Sequence, residues 1–302
     1  MIKLKFIIIR IIINEMDNCS YFIEDKGLFG SYPNKSSYEE LVENGVNYIV
    51  DLTTENEKSK LYKYERNNYY CYEIKDKYIP ENIYMFCKFI HKIGNIIKNM
   101  KDNEKIYIHC KGGHGRCGII VCCLLCYLFK YSADKSLELT NQYHNNRKIM
   151  NERWRKVGSP QTDRQKDFVR RLFKPIYLDN IYSRNTYYPL HNLSNHNIKY
   201  DSIFYKNVNV CYYSLKDRKF YNQLNNTKHY YEFKKVIENI TGNNIKGHEK
   251  SILMHILRTK FTNNNDVKEI LTKTLLKPIK YTEDNINIGE IWEEIRSMML
   301  YK

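Results

Sequence analysis

The residues best equipped for chemistry lie in the stretch 105–118, K-I-Y-I-H-C-K-G-G-H-G-R-C-G, where His109 and Cys110 are followed by Arg116 and glycines stand at 112, 113, 115 and 118. An ordinary thiol has a pKa of about 8.5 and is only a few per cent thiolate at neutral pH. Here Cys110 opens a glycine-rich loop whose unpaired backbone N–H groups run into a helix N-terminus. That combination favours negative charge and pulls a thiol to ~3.5–7.5, which makes Cys110 a candidate nucleophile. Glycines let the backbone curl until several N–H groups point at one centre, a nest for a tetrahedral anion. Arg116 adds a planar fork matched to two oxygens of a phosphoryl group. The stretch reads as a phosphate cradle with a thiolate at its floor.

The elements around it give this loop its meaning. A β-branched and aromatic run ends at His109, and an apolar run at 119–129 predicts a helix from Gly118, so the loop joins strand to helix. Gly113-x-Gly115-x-x-Gly118 also fits a dinucleotide fingerprint, which would require a second buried strand ending in an acidic residue ~20 positions on. Instead 132–147 reads as another helix, capped by Ser132. Upstream, Gly27, Gly30 and Pro33 punctuate a strand, a turn and a strand from Asp17 onward. Ser36-x-x-Glu39 reads as a capping box for a short helix at 38–44 closed by Gly45, followed by strands at 46–52 and 69–74. A loop at 74–80 then leads to a helix beginning near Pro80, with Ile83, Phe86, Cys87, Ile90, Ile93 and Ile97 at helical spacing. This alternation predicts an α/β fold, a central sheet flanked by helices.

His109-Cys110 and Arg116, in register with the glycines between strand and helix, resemble the signature of the cysteine-dependent protein-tyrosine and dual-specificity phosphatases over residues 17–174. The resemblance implies a phosphatase-type sheet and a covalent thiophosphate route that needs neither cofactor nor metal. It implies further that Asp76, on the loop before the Pro80 helix, is the general acid. Such an acid supplies the proton that an expelled alkoxide or phenoxide needs. In the late segment Ser159-Pro160-Gln161-Thr162, the resemblance makes Gln161, with Gln165 behind it, the residue that orients hydrolytic water. Lys111, Gly112, Gly113, His114, Gly115 and Cys117 become the substrate-binding loop, with His109 supporting it; Lys111 and His114 add positive charge. Cys117 departs from the family, which usually places Thr or Ser after the Arg to donate to the leaving sulfur. A thiol is the weaker donor, which predicts slowed phosphoenzyme turnover; alternatively Cys117 is a resolving thiol for oxidised Cys110.

At 302 residues the chain holds two domains of ordinary size. The formal charge of +15 favours anionic partners, phosphorylated protein above all, with nucleic acid compatible. Lys, Asn, Ile and Tyr are enriched along the whole chain, so the charge marks no single patch. The 9 cysteines lack paired spacing, which points to reduced thiols, a cytoplasmic setting and no structural zinc. Residues 1–16 form an extension whose apolar run, broken by Arg10, falls short of the ~18–20 residues that span a bilayer. Residues 175–186 read as a linker to a smaller, mostly helical α+β domain at 187–302. There Tyr188-Pro189-Leu190-His191-Asn192-Leu193, the segment 205–212 and the segment 251–276 resemble, in order, the NADAR family of N-glycosidases. Asn209 and Lys280 stand where that family has acidic residues, which predicts a binding or structural domain, since glycosidic cleavage needs a carboxylate. His255 reads as a packing residue of an amphipathic helix at 252–261. For the first domain, the same fold acting on RNA 5′-phosphate, phosphoinositide or an ADP-ribose-type phosphate, and an impaired phosphate-binding module, stand as alternatives.

Overall fold

The computed structural model describes residues 17–58, 68–178, 186–283 and 285–300, and it divides after Phe173 into two compact units. The extension 1–16 and Asp284 lie outside the described residues.

In the first unit, β1 (Cys19–Ile23), β2 (Gly27–Gly30), β3 (Val46–Asp51), β4 (Tyr69–Cys71) and β5 (Lys105–His109) form one sheet in the order β1-β2-β5-β3-β4. Only β1 and β2 pair antiparallel; β5 runs parallel to both of its neighbours. The register sets Gly30 and Asp51 opposite His109, so three strand ends meet where the Cys110 loop begins. Ligand sites of parallel sheets form at this carboxyl edge.

Helix α1 (Lys35–Glu43) differs at its start from the expected capping box. Asn34 is the N-cap, its side chain accepting from Ser37 N at 2.9 Å, because that places Tyr38 and Leu41 on the core side. They close over Cys19, Leu28, Val46, Ile49 and Tyr107. After the short α2 (Glu55–Lys58), α3 (Ile83–Asn99) starts at an Asn82 cap, slightly later than Pro80. Helix α4 (Gly115–Phe129) is buried from Gly115 through Cys126, as an apolar-all-round helix must be. Each buried Ile, Val or Leu on it contributes roughly 1.5–3 kcal/mol, which anchors the loop at its N-terminus. Its cysteines act as small core residues: Cys122 Sγ meets Thr140 Oγ1 at 3.1 Å and Cys126 Sγ meets Ser136 Oγ at 3.1 Å on α5 (Ala133–Asn145). Next come α6 (Glu152–Val157) and α7 (Asp163–Leu172).

The second unit begins inside the expected linker: β6 (Ile176–Tyr177) pairs in parallel with β9 (Ile279–Lys280). A hairpin of β7 (Ile198–Tyr200) and β8 (Ile203–Tyr205) precedes α8 (Val208–Lys216), α9 (Tyr221–Asn226), α10 (Tyr230–Glu238), α11 (Glu249–Asn263) and α12 (Asn265–Lys273). After β9, the short pair β10 (Thr282–Glu283) and β11 (Ile286–Asn287) leads into α13 (Ile288–Leu300), which buries Trp292. His255, on α11, is exposed with its ring edge against Tyr200. Among the described residues no helix is long and apolar enough to cross a membrane.

Lys260 on α11 is fully buried. Its Nζ donates to His191 O at 2.7 Å and Ser194 Oγ at 2.6 Å, and burial pushes its pKa down to about 7. The unfolded chain therefore holds this proton up to higher pH than the folded one does. Stability of the second unit should rise as pH climbs above about 7, by up to ~1.4 kcal/mol per unit, until the ordinary lysine range is reached. Denaturant unfolding followed by Trp292 fluorescence in a Trp154→Phe background measures this slope. Lys260→Met should flatten it, and a flat wild-type curve would contradict the assignment.

Candidate active site

The loop from Cys110 to Arg116 curls because Gly113 adopts φ +75, and a Cβ there would collide with the backbone of Gly30. Its N–H then points inward and donates to Cys110 Sγ at 3.2 Å. Gly118 allows a second close approach, with Ser159 and Pro160 packed directly on α4. Ser159 Oγ in turn donates to His114 O at 2.6 Å, tying the segment after α6 to the cradle.

Cys110 is buried, and its thiol is drawn down from 9.0 to about 6. The hydrogen bond from the Cys117 thiol is the largest cause; burial opposes it, and the Arg116 charge with the N–H groups of Cys117 and Gly113 add to it. Cys117 itself keeps its proton, since burial and the neighbouring thiolate both push its pKa up. That thiol also has carbonyl acceptors close by, Gly30 O at 3.6 Å and Ile108 O at 3.7 Å. A hydroxyl in its place would be a stronger donor to the departing sulfur. Cys117→Thr is expected to raise kcat on an aryl phosphate about fivefold, the equivalent of ~1 kcal/mol of hydrogen bonding. An unchanged kcat and an unchanged burst amplitude in stopped flow would remove Cys117 from the list of brakes.

Beneath Cys110, burial drops His109 to about 4, leaving it neutral at pH 7. Its Nδ1 lies 3.7 Å from the buried Asp51 Oδ1, and Tyr32 packs edge-on against its ring at 4.6 Å. Asp51 accepts from Tyr69 OH at 2.6 Å and from Thr53 N and Oγ1 at 2.8 and 2.6 Å.

Arg116 is held from the far side by a residue that loop-centred reasoning missed. Glu57 takes its fork bidentately, Nη1 to Oε2 at 2.7 Å and Nη2 to Oε1 at 3.0 Å, while Nη1 also donates to Ile74 O at 3.1 Å. Burial would raise the Glu57 pKa, but Arg116 together with Thr54 N and Oγ1 outweighs it and holds the carboxyl at about 2. A signal was available: Glu57 follows β3 by a few residues, at the same sheet edge as Cys110. Asp76 also reaches this centre, Oδ1 lying 3.2 Å from Arg116 Nη2 with the side chain largely exposed. Glu57→Gln leaves one acceptor and no charge, so kcat/KM for an aryl phosphate should fall ~10–100-fold through misplacement of Arg116. A change under twofold would mean that the pair is ornamental.

The two glutamines separate. Gln165 is used structurally: its Oε1 accepts from Gln161 N at 3.1 Å and Thr162 N at 3.2 Å, and its Nε2 donates to Tyr78 O at 3.1 Å, completing a capping box for α7. Gln161 sits beside the loop, its Cβ 3.2 Å from where a side chain on Gly115 would start. Lys111 and Gly112 are exposed on the rim, with Lys111 O accepting from Tyr32 N at 3.2 Å. His114 corrects an expectation. The sequence predicts added positive charge there, but burial and the nearby Arg147 hold its pKa at about 4, so it is neutral at pH 7. Its Nδ1 lies 2.8 Å from His144 Nε2, and its ring stacks on Trp154 at 4.7 Å. His144 and Arg147 carry no sequence signal beyond the polar run at 144–147, and Trp154, on α6, carries none. Among the described residues no group of three or more His, Cys, Asp or Glu side chains is gathered as metal ligands would be.

A buried thiol at the mouth of a helix, beside inward N–H donors and a buried guanidinium on a mainly parallel sheet, has the arrangement of a cysteine-dependent phosphatase. The chain belongs to the dual specificity phosphatase family, and residues 28–157 match the family model described as the dual specificity phosphatase catalytic domain. It is 39% identical over 165 residues to a protein of Invertebrate iridescent virus 3 named as a tyrosine phosphatase (067L), covering 54% of this chain and 68% of that one. It is 38% identical over 173 residues to another protein so named (197R) of Invertebrate iridescent virus 6, covering 54% and 59%. Two solved structures show looser likenesses. Tk-PTP in its active form has 17% identity over 51% of this chain and 95% of that one, with a TM-score of 0.40. The E. coli protein YbiA has 15% identity over 41% and 84%, with a TM-score of 0.35. Neither likeness carries weight at those scores. The first unit is thus a protein-tyrosine/dual-specificity phosphatase; the NADAR resemblance of the second finds no support in these similarities.

Proposed function

We propose that this phosphatase works through Cys110, Arg116, Asp76 and Gln161. The observation that carries this reading is the buried Cys110 sulfur, which accepts from Gly113 N at 3.2 Å at the opening of the loop that ends in the buried Arg116, surroundings that draw its pKa down to about 6. The thiolate attacks phosphorus in line, forming the S–P bond as the P–O bond to the leaving group breaks, and Asp76 delivers its proton to the departing oxygen. Arg116 has both Nη atoms engaged by Glu57, Asp76 and Ile74, while its buried Nε–H has no hydrogen-bond partner among the described residues and is available to a phosphoryl oxygen. The inward N–H groups of residues 111–117 take the other equatorial oxygens. Water oriented by Gln161 then gives its proton to Asp76 and attacks phosphorus, and the thiolate leaves with the Cys117 S–H donating to it. His109 and Asp51 fix the floor. Neither a metal nor an organic cofactor enters any step.

The substrate is phosphorylated protein, phosphotyrosine first and phosphoserine or phosphothreonine second. Phosphate release from phosphopeptides, a phosphoinositide, 5′-phosphorylated RNA and an ADP-ribose phosphate, compared at matched concentration, tests this choice. The phosphopeptides should turn over fastest. Release from only the other substrates would move the specificity, and release from none would leave a phosphate-binding module.

All 9 cysteines are free, which supports a reducing, cytoplasmic setting. For the second unit we infer a non-catalytic role. Asn209 is buried on α8 and Lys280 is exposed on β9, and among the described residues of that unit the buried polar side chains include no Asp or Glu. Oxocarbenium chemistry thus lacks a sequestered carboxylate there. Release of free base from an N-ribosyl phosphate substrate would refute this.

A further inference from the structure

The mechanism leaves one buried cation unused. Arg147 follows the end of α5, 3% exposed, in a turn stapled by Arg155, whose Nη1 donates to Asn145 O at 2.5 Å and Nη2 to Arg147 O at 2.7 Å. The Arg147 guanidinium lies 4.7 Å from the centre of the Phe29 ring. Its Nη2 donates to Gly113 O at 2.8 Å and Phe29 O at 3.2 Å, and its buried Nε has no hydrogen-bond partner among the described residues. Among the described residues no carboxylate pairs with it. An uncompensated buried charge is strongly unfavourable, so a cation kept in such a place needs an anion in the working state of the protein.

The surroundings narrow the choice of anion. Of the titratable groups near the loop, His109 and His114 stay neutral at pH 7, as does His144 on α5, held at about 3. Tyr107 on β5, Cys19 on β1 and Cys117 on α4 are all pushed up by burial and stay protonated. Arg116 is balanced by Glu57 and Asp76, while Asp51 on β3 faces Tyr69, Thr53 and His109. Cys110 remains. The bond to Gly113 O has a second consequence, because Gly113 has the loop's left-handed φ. Holding its carbonyl outward fixes the next peptide with its N–H turned to the cradle.

We propose that Arg147 is a positioning residue of the phosphate loop, setting the Gly113–His114 peptide from behind, and that the charge balancing its buried guanidinium is the anion formed at Cys110. This rests on the phosphatase reading of the loop, but its test does not require turnover. Arg147→Gln keeps a donor for Gly113 O and removes the charge; Arg147→Lys keeps the charge and removes the planar fork. Both variants, checked for folding by circular dichroism, are titrated through the pH dependence of Cys110 alkylation by iodoacetamide. They are then assayed on p-nitrophenyl phosphate for kcat and KM.

The midpoint of alkylation should rise by about one pH unit in Arg147→Gln, a tenfold loss of thiolate below the midpoint. It should stay near wild type in Arg147→Lys, while kcat there falls about tenfold with KM changed less. A folded Arg147→Gln with the wild-type midpoint overturns the charge assignment. If Arg147→Gln fails to fold, Arg147→Lys with both midpoint and kcat unchanged overturns the proposal. Wild-type protein that alkylates near pH 6 but releases no phosphate from any substrate would instead count against the phosphatase reading.

Discussion

Cys110→Ser should abolish turnover, with kcat on an aryl phosphate falling by something on the order of 10^5-fold or more, as when an acyl-transfer enzyme loses its nucleophile. With the thiol at about 6, most of the protein carries a thiolate at pH 7. A serine hydroxyl ionises far above that range, and among the described residues the histidines at the loop, His109 and His114, are held at about 4 and are too weakly basic to activate it. The substitution changes one atom in a cradle whose shape comes from Gly113, Arg116 and α4, so phosphate binding should survive. It should even tighten, since the variant no longer sets a negative sulfur beneath a phosphate dianion. Binding of inorganic phosphate by calorimetry, with kcat from initial rates, checks both halves. Turnover within tenfold of wild type would remove Cys110 as nucleophile. The same titration predicts that wild-type kcat/KM falls tenfold per unit as pH drops below about 6, where Cys110 takes up its proton.

What the sequence made legible followed from periodicity and local chemistry. The run from Lys105 to His109 and the apolar helix after it were readable because each pattern has one stable structural solution, and that solution places Cys110 between them. Ser132 as a cap was readable for the same local reason, its side chain accepting from Lys135 N at 3.2 Å. The first cap misled because Asn34, Ser36 and Ser37 compete within four residues, and burial of Tyr38 and Leu41 decides among them. The parallel register that sets Gly30, His109 and Asp51 side by side is a tertiary fact with no local mark.

The site divides along the same line. Cys110, Arg116 and the glycines share one loop and are legible together. Glu57 and Arg147 come from segments 53 residues before Cys110 and 37 residues after it, and their roles exist only once the sheet is assembled. The charge of His114 is not legible in sequence because it depends on burial, and contact with His144 and Trp154 removes the ring from water. The sequence sets Gln161 before Gln165 by resemblance alone, and the capping box at α7 is what commits Gln165 to the backbone.

Asp76 provides the sharper test of mechanism, because its effect should depend on the leaving group. Its carboxyl lies 3.2 Å from Arg116 on an exposed loop whose next residue, Lys77, adopts φ +63 and turns the chain toward Tyr78. Tyr78 O is in turn held by Gln165. Asp76 is therefore tied to Arg116 on one side and, through Tyr78, to the Gln161–Gln165 segment on the other, the placement that the proposed role in both half-reactions requires. An alkoxide released from phosphoserine or phosphothreonine needs a proton as the P–O bond breaks, and general acid catalysis of that kind is worth roughly 10^2–10^4-fold. A phenoxide is a better leaving group and needs less help. Asp76→Asn keeps the size and the contact with Arg116 but cannot protonate anything. Its kcat should fall ~10^3-fold on phosphothreonyl peptide, less on phosphotyrosyl peptide, and least on an aryl phosphate with an acidic phenol. Plotting log kcat/KM against leaving-group pKa should steepen in the variant. Equal losses across all three substrates would show that Asp76 positions Arg116 and donates no proton.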